Sequence, residues 1–124
     1  MTTLTEGRHT ADFIMSEANG HRSRAAGHIA AGNTVTPGMV LKLGTAATSD
    51  EIGIYTQLLA ATGNAAVAIA IYAAAPVSGD DVDIALLVRD AEVNGKMLTW
   101  PTAITLTEKA AAITALAALG IIIR

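Results

Sequence analysis

The run Val67-Ala68-Ile69-Ala70-Ile71-Tyr72 sets the terms for this chain. Bulky and small residues alternate with a period of two, the repeat of a strand, whose successive side chains point to opposite faces. Val67, Ile69 and Ile71 share one face and the alanines take the other. An alanine face admits another backbone at close range, in a second packed layer or in a neighbouring subunit. Residues 82–88 form a second apolar run, with Ile84, Leu86, Leu87 and Val88 following a turn-rich loop, and read as a strand. Residues 39–43 read as a buried strand after the Val35-Thr36-Pro37-Gly38 turn, in which Pro presets φ and Gly accepts a positive one. Residues 52–59 read as another strand, with helix possible at its end, and Thr62-Gly63-Asn64 punctuates it. Residues 121–123 close the chain as a short β-branched strand.

One helix stands out. Thr105-Leu106-Thr107-Glu108 has the spacing of a capping box. Leu106, Ala110, Ile113, Leu116 or Ala117, and Leu119 recur at helical intervals, and Gly120 supplies the stop. The expected class is mostly β with one short C-terminal helix, a small α+β single domain of 124 residues.

Hydrophobic residues make up 52% of the chain but aromatics only 3%, with alanine supplying much of the difference. Small side chains bury little area each, so the core is expected to be thin, a common reason for oligomerisation. The formal charge of −3 gives no basic footprint for nucleic acid. No secretory leader is expected from the polar N-terminus, and no apolar run approaches the ~20 residues of a membrane span. Without cysteine there is no disulfide, thiolate metal site or cysteine nucleophile.

Residues 2–24 are the most polar stretch, with Glu6, Asp12 and Glu17 balanced by Arg8, Arg22 and Arg24. Such a segment cannot bury enough apolar area alone to offset the entropy of ordering it. It is a loose tail or an arm that folds onto something else. Residues 1–11 show no period and read as an extended arm; residues 12–124 form the body. Phe13, Ile14 and Met15 sit at the junction. Asn19-Gly20 is a strong hairpin signal, with residues 21–26 as the return strand. An ordinary surface hairpin and a docking device fit it equally. Residues 27–33 are small and loop-like.

Catalytic chemistry finds no foothold. His9, His21 and His28 lack metal-site spacing, and Asp80, Asp81 and Asp83 lack the pattern of a calcium loop. Gly27 and Gly32 do not make a phosphate loop, no nucleophile elbow exists, and nothing pairs Glu51 with Glu92. No cofactor, metal or small-molecule substrate is expected. Arg89, Asp90 and Glu92 form a charged cluster after an apolar strand. Arg89 there serves a local pair or a subunit contact, and the cluster is the one place for an alternative ligand-binding or enzymatic reading. Trp100 reads as a core plug or an interface anchor.

Several stretches together resemble the head decoration proteins of tailed bacteriophages, the lambda protein D family. They are Thr5-Glu6-Gly7-Arg8-His9-Thr10, then Phe13 with Ser16-Glu17-Ala18-Asn19-Gly20, Thr36-Pro37-Gly38-Met39-Val40-Leu41, Val88-Arg89-Asp90-Ala91-Glu92-Val93-Asn94, Leu98-Thr99-Trp100-Pro101 and the segment 117–124. Ala66-Val67-Ala68-Ile69 departs from the pattern, which often has Gly before this strand. The resemblance implies a β-clip kind of fold, made in the host cytoplasm and placed on the outer surface of the virion. It implies a homotrimer that binds the major capsid protein and clamps the expanded shell against packaged-DNA pressure, not an enzyme. The capsid-binding residues it implies are Leu4, Thr5, Glu6, Arg8, His9, Thr10, Phe13 and Ile14, with no nucleic-acid or membrane partner.

Overall fold

The computed structural model describes residues 2–44, 53–77 and 82–124. Five strands close into a barrel: β2 (Arg24–Ile29), β3 (Val40–Leu43), β4 (Ile54–Gln57), β5 (Ala66–Ala70) and β6 (Val82–Leu87), in the order β2-β4-β3-β5-β6. Only β2 and β4 run parallel. A separate three-stranded sheet, β1-β7-β8, joins β1 (Ile14–Glu17), β7 (Ala91–Val93) and β8 (Ile121–Ile123). Helix α1 (Leu106–Ala118) connects β7 to β8, which lie parallel. The architecture is mostly β with one C-terminal helix, as the sequence pattern indicates.

The alternation in β5 is spent on two cores. Val40, Ile69 and Leu87 are register partners on the outer barrel face and are buried together. Ala68 and Ala70 point the other way and pack with Ile29, Leu41, Ile84 and Leu86 inside the barrel. The alanine face therefore looks into the interior of this chain's own barrel, because a barrel of only five strands leaves little width for side chains. Gly27 belongs to the same constraint. It sits within β2, not in a loop, and a Cβ there would lie 2.5 Å from Leu86 Cδ1 and 2.7 Å from the Tyr55 ring.

The outer core gathers Phe13, Leu58, Ile71, Val93, Leu98, Ala112, Leu116 and Ile121 over the Val40–Ile69–Leu87 row. Half of the capping box forms. Thr105 Oγ1 accepts a hydrogen bond from the Glu108 N–H at 3.2 Å. The Glu108 carboxylate instead accepts from the Gly63 N–H, at 3.1 Å, in the 3₁₀ segment Ala60–Ala65. The buried face of α1 is carried by Ala112 and Leu116, while Leu106 and Ala110 are exposed, so the expected stripe is only partly correct. Gly120, at φ +83, ends the helix.

The hairpin expected at Asn19-Gly20 does not form. The turn is present, with Gly20 at φ +69. However, β1 pairs with β7 (Ile14↔Val93, Glu17↔Ala91), whereas β2 pairs with β6 and β4. Buried Ser23 explains the crossing. Its hydroxyl accepts from the Ala18 N–H at 2.9 Å and donates to the Asp90 carbonyl at 2.7 Å, holding a connection between two layers. The polar loop read from Gly44 and the acidic turn at Asp80 and Asp81 lie, apart from Gly44, outside the described residues.

At Gly63 a Cβ would fall 2.0 Å from the Glu108 carbonyl oxygen, a backbone atom that cannot step aside. Gly63→Ala is expected to cost about 1–3 kcal/mol or more through overpacking. Gly7→Ala, where a Cβ meets nothing within 4 Å, is expected to leave the urea midpoint unchanged. Equal midpoints for both variants would refute the contact.

Candidate functional site

Residues 2–10 are all exposed and carry no regular secondary structure. Leu4, the one large apolar side chain among them, is 92% exposed. The strip is lightly fastened. His9 Nε2 lies 2.8 Å from Glu6 Oε1, the His9 N–H donates to Asp12 Oδ2 at 3.1 Å, and Arg8 Nη2 donates to the Lys96 carbonyl at 3.2 Å. Exposed polar contacts of this kind are individually weak. Ala11 then turns the chain with a positive φ of 62°, and its carbonyl accepts from the Ile14 N–H at 3.1 Å.

The eight residues expected to touch a partner separate here. Leu4, Thr5, Glu6, Arg8, His9 and Thr10 lie together on the exposed strip. Phe13 does not. Its side chain is fully buried in the outer core, and its carbonyl accepts from the Asn94 N–H at 2.9 Å. In this conformation it fixes where the arm leaves the body and presents no contact surface. Ile14 is half-buried and opens β1 opposite Val93. Met15, beside it, is 61% exposed.

The backbone of β1 adds what the side chains do not reveal. A closed barrel has no strand edge, whereas β1 is an edge of the open sheet and pairs on one side only. A free edge is a template for a partner's strand. Reading β1 as half of a hairpin hid this edge by assigning β2 to it.

The charged cluster is consumed in ties between strands. Arg89 Nη1 donates to the Arg22 carbonyl at 2.7 Å, and Asp90 pairs with Arg22 at 3.1 Å. Glu92 accepts from Arg124 at 2.8 Å and from Ser16 at 3.2 Å. The Arg124 hydrogen bond holds the Glu92 carboxyl below its ordinary range. Glu17 and Arg24 make a bidentate pair, 2.6 and 2.9 Å, which lowers the Glu17 pKa and raises that of Arg24. A cavity of about 140 Å³ lies elsewhere, lined by Met39, Val40, Leu58, Trp100 and Pro101 among others. Trp100 is half-buried against the outer core, with Lys109 Nζ 5.1 Å from its ring centroid. Among the described residues no three His, Asp or Glu side chains are placed to hold a metal ion.

A sequence model of the family described as Bacteriophage lambda head decoration protein D matches residues 3–121, from inside the arm to the first residue of β8. The chain belongs to that family. Head decoration is a structural role in the phage virion, and the family is not one of enzymes. No curated protein sequence matches the chain. The family match spans the exposed strip, the barrel and the sheet alike.

The Glu17–Arg24 pair links β1 to β2 and makes the stability of this head decoration protein depend on pH. A carboxylate with a lowered folded pKa stabilises the fold above its unfolded pKa and loses that contribution as pH falls through the folded one. Glu17→Gln is therefore expected to reduce stability at neutral pH by about 0.5–1 kcal/mol, the side chains being partly exposed. In thermal melts the gap from the parent should close below the ordinary carboxylate range. A gap that stays constant into strong acid would show that the ion pair is not its cause.

Proposed function

We propose that this chain decorates the outer surface of an expanded phage head as a homotrimer, binding the major capsid protein and holding the shell against packaged-DNA pressure. The observation that carries the reading is the family match. The physical layout supports it: an exposed polar strip, residues 2–10, leads directly into a free sheet edge. Residues 1–11 act as the arm and 12–124 as the decoration body, made in the host cytoplasm and assembled onto the virion. Neither nucleic acid, membrane, cofactor nor small substrate takes part.

An arm ordered on a partner gains main-chain hydrogen bonds and a few anchors, and loses conformational entropy in doing so. Burying Leu4 contributes on the order of 1.5–3 kcal/mol. One arm is thus a weak ligand. Three arms on one trimer raise the effective concentration and bind avidly without any new contact. Thr5, Glu6, Arg8, His9 and Thr10 supply polar specificity, Ile14 extends the edge, and Phe13 acts through the core that anchors the arm's base.

Deleting residues 2–10 is expected to leave the melting temperature and a solution mass near three times 12.6 kDa unchanged, and to weaken co-sedimentation with expanded empty shells at least about tenfold. Undiminished binding would remove the arm from the contact; a stable monomer in the parent protein would refute the trimer. Leu4→Ala should weaken binding without changing stability. Phe13→Ala should instead cost about 3–5 kcal/mol of fold stability.

A further inference from the structure

The chain contains two Asn-Gly pairs, Asn19-Gly20 and Asn94-Gly95, and the fold places them in opposite circumstances. An Asn-Gly pair is open to an intramolecular reaction because glycine puts no side chain in the way of its own nitrogen. At Asn94-Gly95 the reacting groups are fastened. The Gly95 N–H donates to the Arg124 carbonyl at 2.9 Å, and Asn94 Oδ1 accepts from the Lys96 N–H at 3.0 Å. The Asn94 N–H is bound to the Phe13 carbonyl, and a Cβ on Gly95 would lie 2.7 Å from Ile123. Asn19 and Gly20 are both exposed, and nothing lies within 4 Å of where a Gly20 Cβ would be. Among the described residues no hydrogen bond holds the Asn19 amide or the Gly20 N–H.

We propose that Asn19 is a self-modifying site, which deamidates in the folded protein while Asn94 is protected. The Gly20 main-chain nitrogen attacks Asn19 Cγ. An N–Cγ bond forms, the Cγ–Nδ2 bond breaks, and the side-chain nitrogen leaves as ammonia with the Gly20 proton. The five-membered succinimide is opened by one water molecule at either carbonyl, giving aspartate or isoaspartate. No electrons are transferred and no other reactant is needed. Reaction at Asn94 first requires local opening of β7 and the 3₁₀ turn Gly95–Met97, and so is limited to the small open population.

Each event makes the chain one unit more negative than its formal −3. The new carboxylate stands on the connection between β1 and β2, two residues from Glu17 and three from Arg22. In a particle whose proteins are not replaced (a point that rests on the decoration reading), this charge accumulates with age.

The test uses the isolated full chain and does not involve the capsid. The protein is held in mildly alkaline buffer for weeks, native and in urea, then digested and mapped by mass spectrometry with isoaspartate detection. In the native protein Asn19 is expected to convert at least about tenfold faster than Asn94, a ratio that collapses towards unity when unfolding removes the protection. Asn19→Gln should abolish most of the acidic shift seen on isoelectric focusing of the native protein. Equal native conversion at the two sites, no conversion at Asn19, or a ratio that survives in urea would each overturn the proposal.

Discussion

A barrel of five short strands has an interior with room for only some of the large side chains its strands carry, and most of this molecule answers that constraint. Gly27, Ala68 and Ala70 keep the interior shallow enough for Tyr55, Leu41 and Leu86 to fill it. The bulky residues of the same strands, Val40, Ile69 and Leu87, are turned outward and need cover. Helix α1, Phe13 and the β1-β7-β8 sheet supply it. The second layer therefore exists because the first cannot hold its own large residues. With one Phe and one Trp in the chain, the covering layer relies on close approach of backbones, as where Gly63 meets Glu108.

What was legible in the sequence follows from the range of the interactions involved. The strand around Ile69 announces itself through local alternation, and those around Leu41, Tyr55 and Leu86 through short apolar runs next to turn residues. The end of α1 at Gly120 and its start at Thr105 are written in single residues. Pairing is less local. Asn19-Gly20 specifies a turn, but the hydrogen bonds of Ser23 to Ala18 and Asp90 decide that the strands on either side part company. The three residues of β7 were hidden in a charged stretch, since half-buried Glu92 stands between buried Ala91 and Val93 and three residues are too few to show a period. Likewise the spacing of α1 cannot report that Glu108 serves Gly63 in preference to its own cap.

The candidate site was legible as composition and not as geometry. Six of the eight expected contact residues lie on the exposed strip because a polar segment without apolar spacing has nothing to bury. Phe13 was grouped with them by its position, yet an isolated aromatic in an alanine-rich chain is the residue the core can least do without. The free edge of β1 was not visible at all, since an edge is defined by which strand fails to pair. The split between a closed barrel and an open sheet leaves main-chain groups on offer at the outer strands of the sheet, β1 and β8, and residues 2–10 lead into the first of them.

The order in which the chain is made bears on when that place comes into being. The sheet is knitted from the beginning and the end of the sequence: Ser16 stands opposite Glu92, and Glu92 stands beside Ile122. The barrel strands all lie within residues 24–87. Closing the sheet requires contacts of long sequence separation, which are slow to form. During synthesis the barrel strands are complete while β8 is still missing, so the outer core stays open and the arm has no fixed base. The β1 edge is therefore fixed only by residues far along the chain, since its one neighbour in the sheet is β7.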